Sequence, residues 1–268
     1  MRIQHFIRSE NSGLMRTSLE FAHCEQLLGH EVIIREPSSG KLLYGADAEP
    51  DVHCVHSQIN PTAYHDGKPK FLFCHGEPLS SVANRISMKA IVDMAPAIDA
   101  FICMRRDELP IWRSIKRATY LVPKGVDLER YRPLDNGERL AGKPAVLYCE
   151  NWRGERNPLY LCVAMERVWK KYPEARLHLF NCGDQKVFET FRALHAHCHW
   201  WPFLRSITGP VEDANALYNR ADIVVSCLYP LYARSIEAFA AGKAFIGPGY
   251  HEPEYPYICE LHPDSIAG

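Results

Sequence analysis

The sequence lacks the apolar segments that mark membrane-spanning and secreted proteins. No run of 18 apolar residues occurs anywhere in its 268 residues, whereas a membrane-spanning helix needs about 20. The amino-terminal stretch MRIQHFIRSENSG also lacks the apolar core, about 7–15 residues long, that a secretory signal requires. We therefore expect a globular protein of the cytoplasm.

The sequence has no excess of charge of one sign. Its 31 basic residues nearly balance its 32 acidic residues, which gives a formal net charge of -1. A near-neutral chain creates no overall field that would attract nucleic acid. We predict no nucleic-acid partner, and any anion site must be built locally.

One segment, 104–118, concentrates basic residues around Trp112 and Ile115. Such a helix would be able to lie on an anionic membrane as a peripheral contact. Asp107 and Glu108 dilute the positive charge, and a solvated helix face is the alternative interpretation.

Paired cysteines are also missing. The ten cysteines include no CxxC pair, and most stand singly in apolar runs such as KFLFCHG and AVLYC, which is typical of buried thiols. The cluster HAHCHWW (195–201) would place three histidines on one face of a strand. No further ligand stands at a suitable spacing, and packing at the end of an element is the favoured interpretation. We predict no metal site.

What the sequence does contain is a regular alternation of short apolar runs with stretches of helical period. This pattern predicts repeated βα units, a parallel sheet and the α/β class. The first unit is complete: a strand over 2–7, a helix from about Leu14 to Leu28, a stop at Gly29 and a strand over 31–36. Four more strands are predicted in this half, over 51–57, 70–76, 100–104 and 119–123.

A change of composition divides the chain. The stretch GVDLERYRPLDNGERLAGKP has no apolar periodicity, and we place a linker at roughly 130–143. The strand pattern then restarts, with strands predicted over 145–151, 175–181, 221–227 and 244–248 and helices over 158–171, 184–195, 212–220 and 234–241. We predict two Rossmann-like, doubly wound domains, 1–135 and 142–268.

In such sheets, anions bind where a loop beyond a strand meets a helix amino terminus. Gly13 would let the backbone approach a ligand after the first strand, although an ordinary turn is an equal alternative. Arg153 and Arg156 follow the first strand of the second half, where guanidinium groups suit a diphosphate. A solvated loop is the alternative there.

The most informative place is the helix that contains IEAFAAG. Glu237 lies in this otherwise apolar segment, where a carboxylate must find hydrogen-bond donors. Ribose hydroxyls are such donors, and Arg234 and Ser235 at the helix start would hold an anion beside them. The alternative is a surface salt bridge between Arg234 and Glu237, worth ~0.3 kcal/mol.

Three segments resemble family 4 of the GT-B glycosyltransferases. TYLVPKGVDLERYRP (119–133) is similar to the interdomain signature of that family, and IEAFAAGKAFIG (236–247) is similar to its donor-site helix. ALYNRADIVVSC (216–227) has the expected pattern between them. The resemblance implies a GT-B fold and transfer of a sugar, of the hexosyl type, from a nucleotide-diphosphate sugar to an acceptor hydroxyl. It also implies retention of anomeric configuration without a metal or another cofactor.

The resemblance assigns roles to residues. Glu237 matches the glutamate that binds the ribose, and Arg156 takes the position of a diphosphate-binding lysine. Asn151 stands where the family has an arginine, so we expect Arg153 to replace that arginine. His75 in FCHGEP matches a histidine near the reacting sugar. Gly13 falls in the glycine loop on the acceptor side.

The chain departs from the family pattern in two places. Tyr229 stands where the first motif glutamate is expected, eight residues before Glu237, and the chain stops where further helices would follow. We therefore also consider a truncated carboxyl terminus and a nucleotide-sugar-binding protein without catalysis. A nucleotide-sugar epimerase is a third alternative, although no pair of acid and base carboxylates is evident. We expect Glu237→Ala to weaken nucleotide binding much more than folding.

Overall fold

A computed structural model describes residues 1–7, 13–37, 39–56, 66–75, 88–135, 138–149, 159–180, 204–208, 213–226 and 233–247, together with 189 and 193. The chain divides into two compact units, Met1–Lys124 and Gly125–Gly268. Among the described residues, no helix combines the length and the apolar character needed to cross a membrane.

The first unit is built on a seven-stranded sheet. Its strands are β1 (Arg2–Phe6), β2 (Glu31–Arg35), β3 (Leu42–Tyr44), β4 (Val52–His56), β5 (Lys70–Cys74), β6 (Ala100–Cys103) and β7 (Thr119–Leu121). The spatial order is β3-β2-β1-β4-β5-β6-β7, and every neighbouring pair is parallel except β2 and β3. This is the doubly wound order, in which the chain reverses its direction of growth between β1 and β4.

The helices of this unit are α1 (Gly13–Leu27), α2 (Met88–Met94) and α3 (Leu109–Ile115), with a 3-10 turn at Ala95–Ala97. Helix α1 ends as predicted, because Gly29 adopts a positive φ of 82° and His30 donates its backbone N–H to the carbonyl of Glu25 at 3.0 Å. Another glycine is required by close approach. At Gly45, with φ of 85°, a Cβ would lie 2.2 Å from the carbonyl oxygen of Val32.

The second unit is built on a five-stranded sheet. Its strands are β8 (Ala145–Cys149), β9 (Arg176–Phe180), β10 (Leu204–Thr208), β11 (Ile223–Val225) and β12 (Ala244–Ile246). The order is β10-β9-β8-β11-β12, with all neighbours parallel. Helices α4 (Leu159–Lys171), α5 (Ala214–Arg220) and α6 (Ala233–Ala240) connect these strands. All five residues of β8 are buried, as expected of a central strand covered on both faces.

The boundary between the two units lies earlier in the sequence than the linker predicted from the change of composition. The division falls between Lys124 and Gly125. Tyr131, inside the expected linker, is 1% exposed and belongs to the apolar core of the second unit. The charged and proline-rich stretch therefore packs on the second unit rather than forming a solvated connection.

Candidate functional site

A buried polar cluster lies at the carboxyl edge of the second sheet. The Tyr218 hydroxyl donates to Oε2 of Glu237 at 2.8 Å, and Nη1 of Arg234 lies 3.5 Å from the same hydroxyl. Nη1 of Arg234 also lies 3.6 Å from Sγ of Cys149, the last residue of β8. We call Cys149, Tyr218, Arg234 and Glu237 the edge cluster.

The fold explains why these side chains meet. Strand β8 is the first strand of the unit, β9 lies on one side of it and β11 on the other, so the direction of winding reverses between β8 and β11. Helix α6 starts beyond the carboxyl end of β11 and brings Arg234 to the end of β8. Ligands of doubly wound domains bind at this reversal point.

Burial argues against one of the two interpretations of Glu237, the surface salt bridge. Its exposed fraction is 2%, and that of Tyr218 is 0%, so the Glu237 carboxylate belongs to an interior cluster and not to a surface salt bridge. Ser235 is also buried, at 2%. The sequence analysis proposed Glu237, Arg234 and Ser235 as candidate site residues, but it did not propose Tyr218, because the tyrosine lies 19 residues earlier on another helix.

Two members of the edge cluster, Tyr218 and Arg234, have pKa values raised above their usual ranges. Burial, followed by the neighbouring Glu237, raises the pKa of the Tyr218 phenol well above its usual range, so the phenol stays a donor. Burial alone would lower the pKa of Arg234, but Cys149, Tyr218 and Glu237 raise it overall. The guanidinium therefore remains a cation at the edge of the sheet, and a fixed cation of this kind can bind a diphosphate.

The first unit carries His75 one residue beyond β5. This imidazole is partly buried, and its Nε2 lies 2.8 Å from Nδ1 of His56. Burial, with a contribution from Lys124, lowers the pKa of His75 to about 3, so the imidazole is neutral at physiological pH. Gly13 is the first residue of α1 and belongs to the same unit.

Several predicted features lie outside the described residues. They are Arg153, Arg156, Asn151, Tyr229 and the histidine cluster at 195–201, and the helix predicted over 184–195 falls almost entirely outside as well. Their roles stay predictions.

Three described side chains of metal-ligating type come together beneath β1. Ligand atoms of His5, Glu25 and Cys54 lie within 4.8 Å of one another. Both nitrogens of His5 are already engaged, with Glu25 at 2.6 Å and with His56 at 2.9 Å. Burial also raises the pKa of the Cys54 thiol, which disfavours the thiolate that a metal requires. We therefore describe this group as a hydrogen-bonded cluster.

In the segment considered for membrane contact, Trp112 and Ile115 pack internally, whereas Ile111 is 41% exposed. Trp112 is 2% exposed and packs edge-on against Phe101, with 5.8 Å between ring centroids. Ile115 packs against the same core. Arg105 pairs with Asp107 and Glu108 rather than facing a partner surface.

No protein-family model and no curated protein sequence matches the chain. The resemblance to family 4 thus stays a prediction from the quoted segments. Solved structures do match. A glycosyltransferase from Rickettsia africae is 15% identical, with a TM-score of 0.65, and the match covers 92% of this chain and 79% of that one. HepE from Anabaena, solved in complex with UDP, is 14% identical, with a TM-score of 0.64 over 92% and 80% of the two chains.

The pneumococcal O-GlcNAc transferase GtfA, solved with UDP and GlcNAc, is 13% identical, with a TM-score of 0.58 over 80% of this chain and 46% of that one. Identities at this level establish the fold. The chain consists of two Rossmann-like, doubly wound domains, and it has the GT-B fold of glycosyltransferases.

Proposed function

We propose that this protein is a glycosyltransferase that transfers a sugar from a nucleotide-diphosphate sugar to an acceptor hydroxyl. The edge cluster is the observation that carries the proposal. A permanent cation and a buried carboxylate lie at the point of a doubly wound domain where nucleotides bind. The structural neighbours solved with UDP, HepE and GtfA, support uridine diphosphate as the leaving group.

The chemistry follows from these charges. The leaving diphosphate gains negative charge as the sugar departs, and a fixed guanidinium stabilises the transition state more than the ground state. On this proposal, Arg234 contacts the diphosphate, together with Arg153 and Arg156. Glu237 accepts hydrogen bonds from the ribose, while Ser235 lies beside them. On the same proposal, His75 contacts the reacting sugar, and Gly13 at the start of α1 belongs to the acceptor side.

We further propose that the transfer retains the anomeric configuration, needs no metal and moves a hexosyl group.

The first experiment is a thermal-shift panel of UDP, GDP, ADP and their sugar conjugates on the full chain without metal. A ligand at about 100 times its dissociation constant stabilises the folded state by about 2.7 kcal/mol, or roughly 5–10 °C for a chain of this size. Stabilisation by a single nucleotide class supports the proposal, and a flat panel contradicts it.

Glu237→Gln tests the donor site without disturbing the core. The amide oxygen still accepts from Tyr218, whereas Glu237→Ala would leave the buried phenol without this acceptor and confuse binding with folding. Loss of hydrogen bonds to a charged group costs about 1.5–3 kcal/mol, so we expect the Kd for the nucleotide to rise about 10- to 100-fold. Glu138→Gln, at an exposed position of the same unit, is the matched control.

Turnover separates this proposal from its alternatives. Incubation of the stabilising nucleotide sugar with a panel of hydroxyl acceptors should release the nucleoside diphosphate and form a glycoside. The configuration of the anomeric carbon in that product reports retention, and unchanged rates in EDTA report metal independence. Binding without release would favour the non-catalytic protein that Tyr229 suggests. Conversion of the donor without an acceptor product would favour an epimerase.

A further inference from the structure

Four side chains of the first unit form one continuous hydrogen-bonded chain. Oε2 of Glu25 lies 2.6 Å from Nε2 of His5, Nδ1 of His5 lies 2.9 Å from Nε2 of His56, and Nδ1 of His56 lies 2.8 Å from Nε2 of His75. We call this group the histidine chain. In every link, the Nε2 atom of a histidine faces the residue that precedes it in this row.

The carboxylate gives the histidine chain a direction. An ionised carboxylate only accepts hydrogen bonds, so Nε2 of His5 must carry a proton. In a neutral imidazole the other nitrogen is then an acceptor, so Nδ1 of His5 accepts the hydrogen bond that Nε2–H of His56 donates. The same reasoning applied to His56 requires that His75 donates through Nε2. Nδ1 of His75 is left as the acceptor at the end of the row.

The histidine chain runs from helix α1 through the buried sheet to the carboxyl edge of the strands. Glu25 lies on α1, His5 lies within β1, His56 is the last residue of β4, and His75 follows β5. The row crosses the place where the winding of this domain reverses, between β1 and β4. It ends beyond the carboxyl ends of the strands, where doubly wound domains bind their ligands.

Burial makes the arrangement rigid and disfavours the charged forms of His56 and His75. His5 is 0% exposed and His56 is 1% exposed, and the His56 ring stacks on Phe73 with 4.7 Å between centroids. Burial, then the neighbouring His75 and His5, lowers the pKa of His56 well below its usual range. Two buried imidazoles in place of aliphatic side chains are costly unless they are paired, and in this sheet each has a partner on both ring nitrogens.

We infer that Glu25, His5 and His56 are positioning residues that hold His75 in the Nε2–H tautomer, with the Nδ1 lone pair presented to a ligand hydroxyl. The inference deepens the proposed function and rests on it for the identity of the ligand. A neutral acceptor nitrogen recognises an O–H donor and gives no attraction to a phosphate. The ligand group at His75 is therefore a sugar hydroxyl, either of the transferred sugar or of the acceptor.

The tautomers are measured directly by long-range proton–nitrogen NMR on the full chain labelled with 15N-histidine, with assignments from single-histidine variants. We expect Nε2 of His5, His56 and His75 to carry a proton in the wild-type chain and Nδ1 of His75 to carry none. Glu25→Ala removes the carboxylate that requires a proton on Nε2 of His5. We therefore expect the His75 signals to become those of mixed tautomers. In Glu25→Gln the amide oxygen still accepts from His5, so the wild-type pattern should return.

Activity supplies the second readout. For loss of an outer partner of a functional histidine we expect kcat to fall about 10- to 100-fold in Glu25→Ala, with little change in KM for the nucleotide sugar. Glu25→Gln should restore most of kcat. Glu31→Ala removes a carboxylate that is 69% exposed on the same unit, and it should leave both kcat and the tautomers unchanged.

The tautomer measurement tests the inference, and the activity measurement tests the proposed function. A His75 that carries its proton on Nδ1, or whose tautomer is the same in Glu25→Ala as in the wild type, overturns the inference whatever the activity. A correct tautomer order in a chain that neither binds nor turns over nucleotide sugars overturns the proposed function. An equal fall of kcat in Glu25→Ala and Glu25→Gln would show a merely structural role for Glu25.

Discussion

At the scale of single residues, Tyr218 should contribute strongly to the stability of the second unit. Its hydroxyl is buried and donates to the buried Glu237 carboxylate. Tyr218→Phe deprives that carboxylate of a donor, and we expect the free energy of unfolding to fall by about 1–3 kcal/mol. Urea denaturation measures this value. Tyr172→Phe, at a ring 49% exposed in the same unit, should change it by less than about 0.5 kcal/mol. Equal effects of the two variants would contradict the interpretation.

Some of these residues could be proposed from the sequence and others could not, for a physical reason. Glu237 was recognisable because a carboxylate within an apolar helical segment needs donors. Tyr218 and the inner histidines were not, because a tyrosine or a single histidine in a strand is ordinary and only the tertiary structure supplies its partners. His5 and His56 are 51 residues apart in the chain, yet 2.9 Å separates their ring nitrogens. His75 was singled out through family resemblance, and the row behind it was missed.

At the scale of elements, α5 holds the segment that precedes β8. Oδ1 of Asn219 accepts from the backbone N–H of Leu134 at 3.0 Å, and its Nδ2 donates to the carbonyl of Arg132 at 2.9 Å. Asn215 accepts from the N–H of Arg132 at 3.2 Å. The two asparagines are 5% and 6% exposed. This interior anchoring explains why a stretch with the composition of a linker packs on the second unit.

Asn219→Ala should release that segment. It removes the acceptor of the Leu134 N–H and a donor to the Arg132 carbonyl, both partly buried backbone groups, and each lost partner costs about 1–3 kcal/mol. We expect a fall of roughly 2–4 kcal/mol in the free energy of unfolding, with faster hydrogen exchange at the amide of Leu134. Lys170→Ala, on the exposed face of α4, is the control. Unchanged exchange at Leu134 would show that the segment is held by other contacts.

The elements themselves were largely predictable. The apolar runs located β1, β2, β4, β5, β6, β7, β8, β9, β11 and β12. Eight of these are central strands, which parallel packing buries on both faces, and β7 and β12 are edge strands. Strand β3 was missed, since Leu42–Tyr44 is a three-residue antiparallel strand at the sheet edge with little burial to mark it. Strand β10 was missed as well, because the polar Arg205 and Ser206 interrupt its apolar pattern.

At the scale of the whole molecule, the two domains differ in the kind of polar group that they bury. The first unit buries His5, His53 and His56, and His53 lies 2.5 Å from Asp66. Among the described residues of the second unit, His178 is buried and bonded to the carbonyl oxygen of Ala141. The overall composition gives only a near-neutral net charge. The concentration of buried histidines in the first unit becomes evident only when the strands are assigned to two sheets. The consequence is a different response to acid.

We predict that acid destabilises the first unit selectively. His56 and His75 have pKa values in the folded state below the value of about 6.5 expected in the unfolded chain. The unfolded chain therefore binds more protons below that pH, so stability is fully present above it and falls as the pH falls. Burial is the main cause of both low pKa values, His75 and His5 add to it at His56, and Lys124 adds to it at His75, whereas the Glu25 carboxylate bonds to His5. Between pH 7 and pH 5 the loss should be about 2–4 kcal/mol.

Hydrogen exchange on the full chain, followed by mass spectrometry at pH 7, 6 and 5 with rates corrected for intrinsic pH dependence, resolves the two units in one sample. Peptides covering β1 and β4 should lose protection on acidification, whereas peptides covering β8 and β9 should keep it. Parallel loss in both units would mean that global charge drives the change. Unchanged protection of β1 and β4 at pH 5 would mean that the histidine chain accepts protons without opening, which the burial of His5 and His56 argues against.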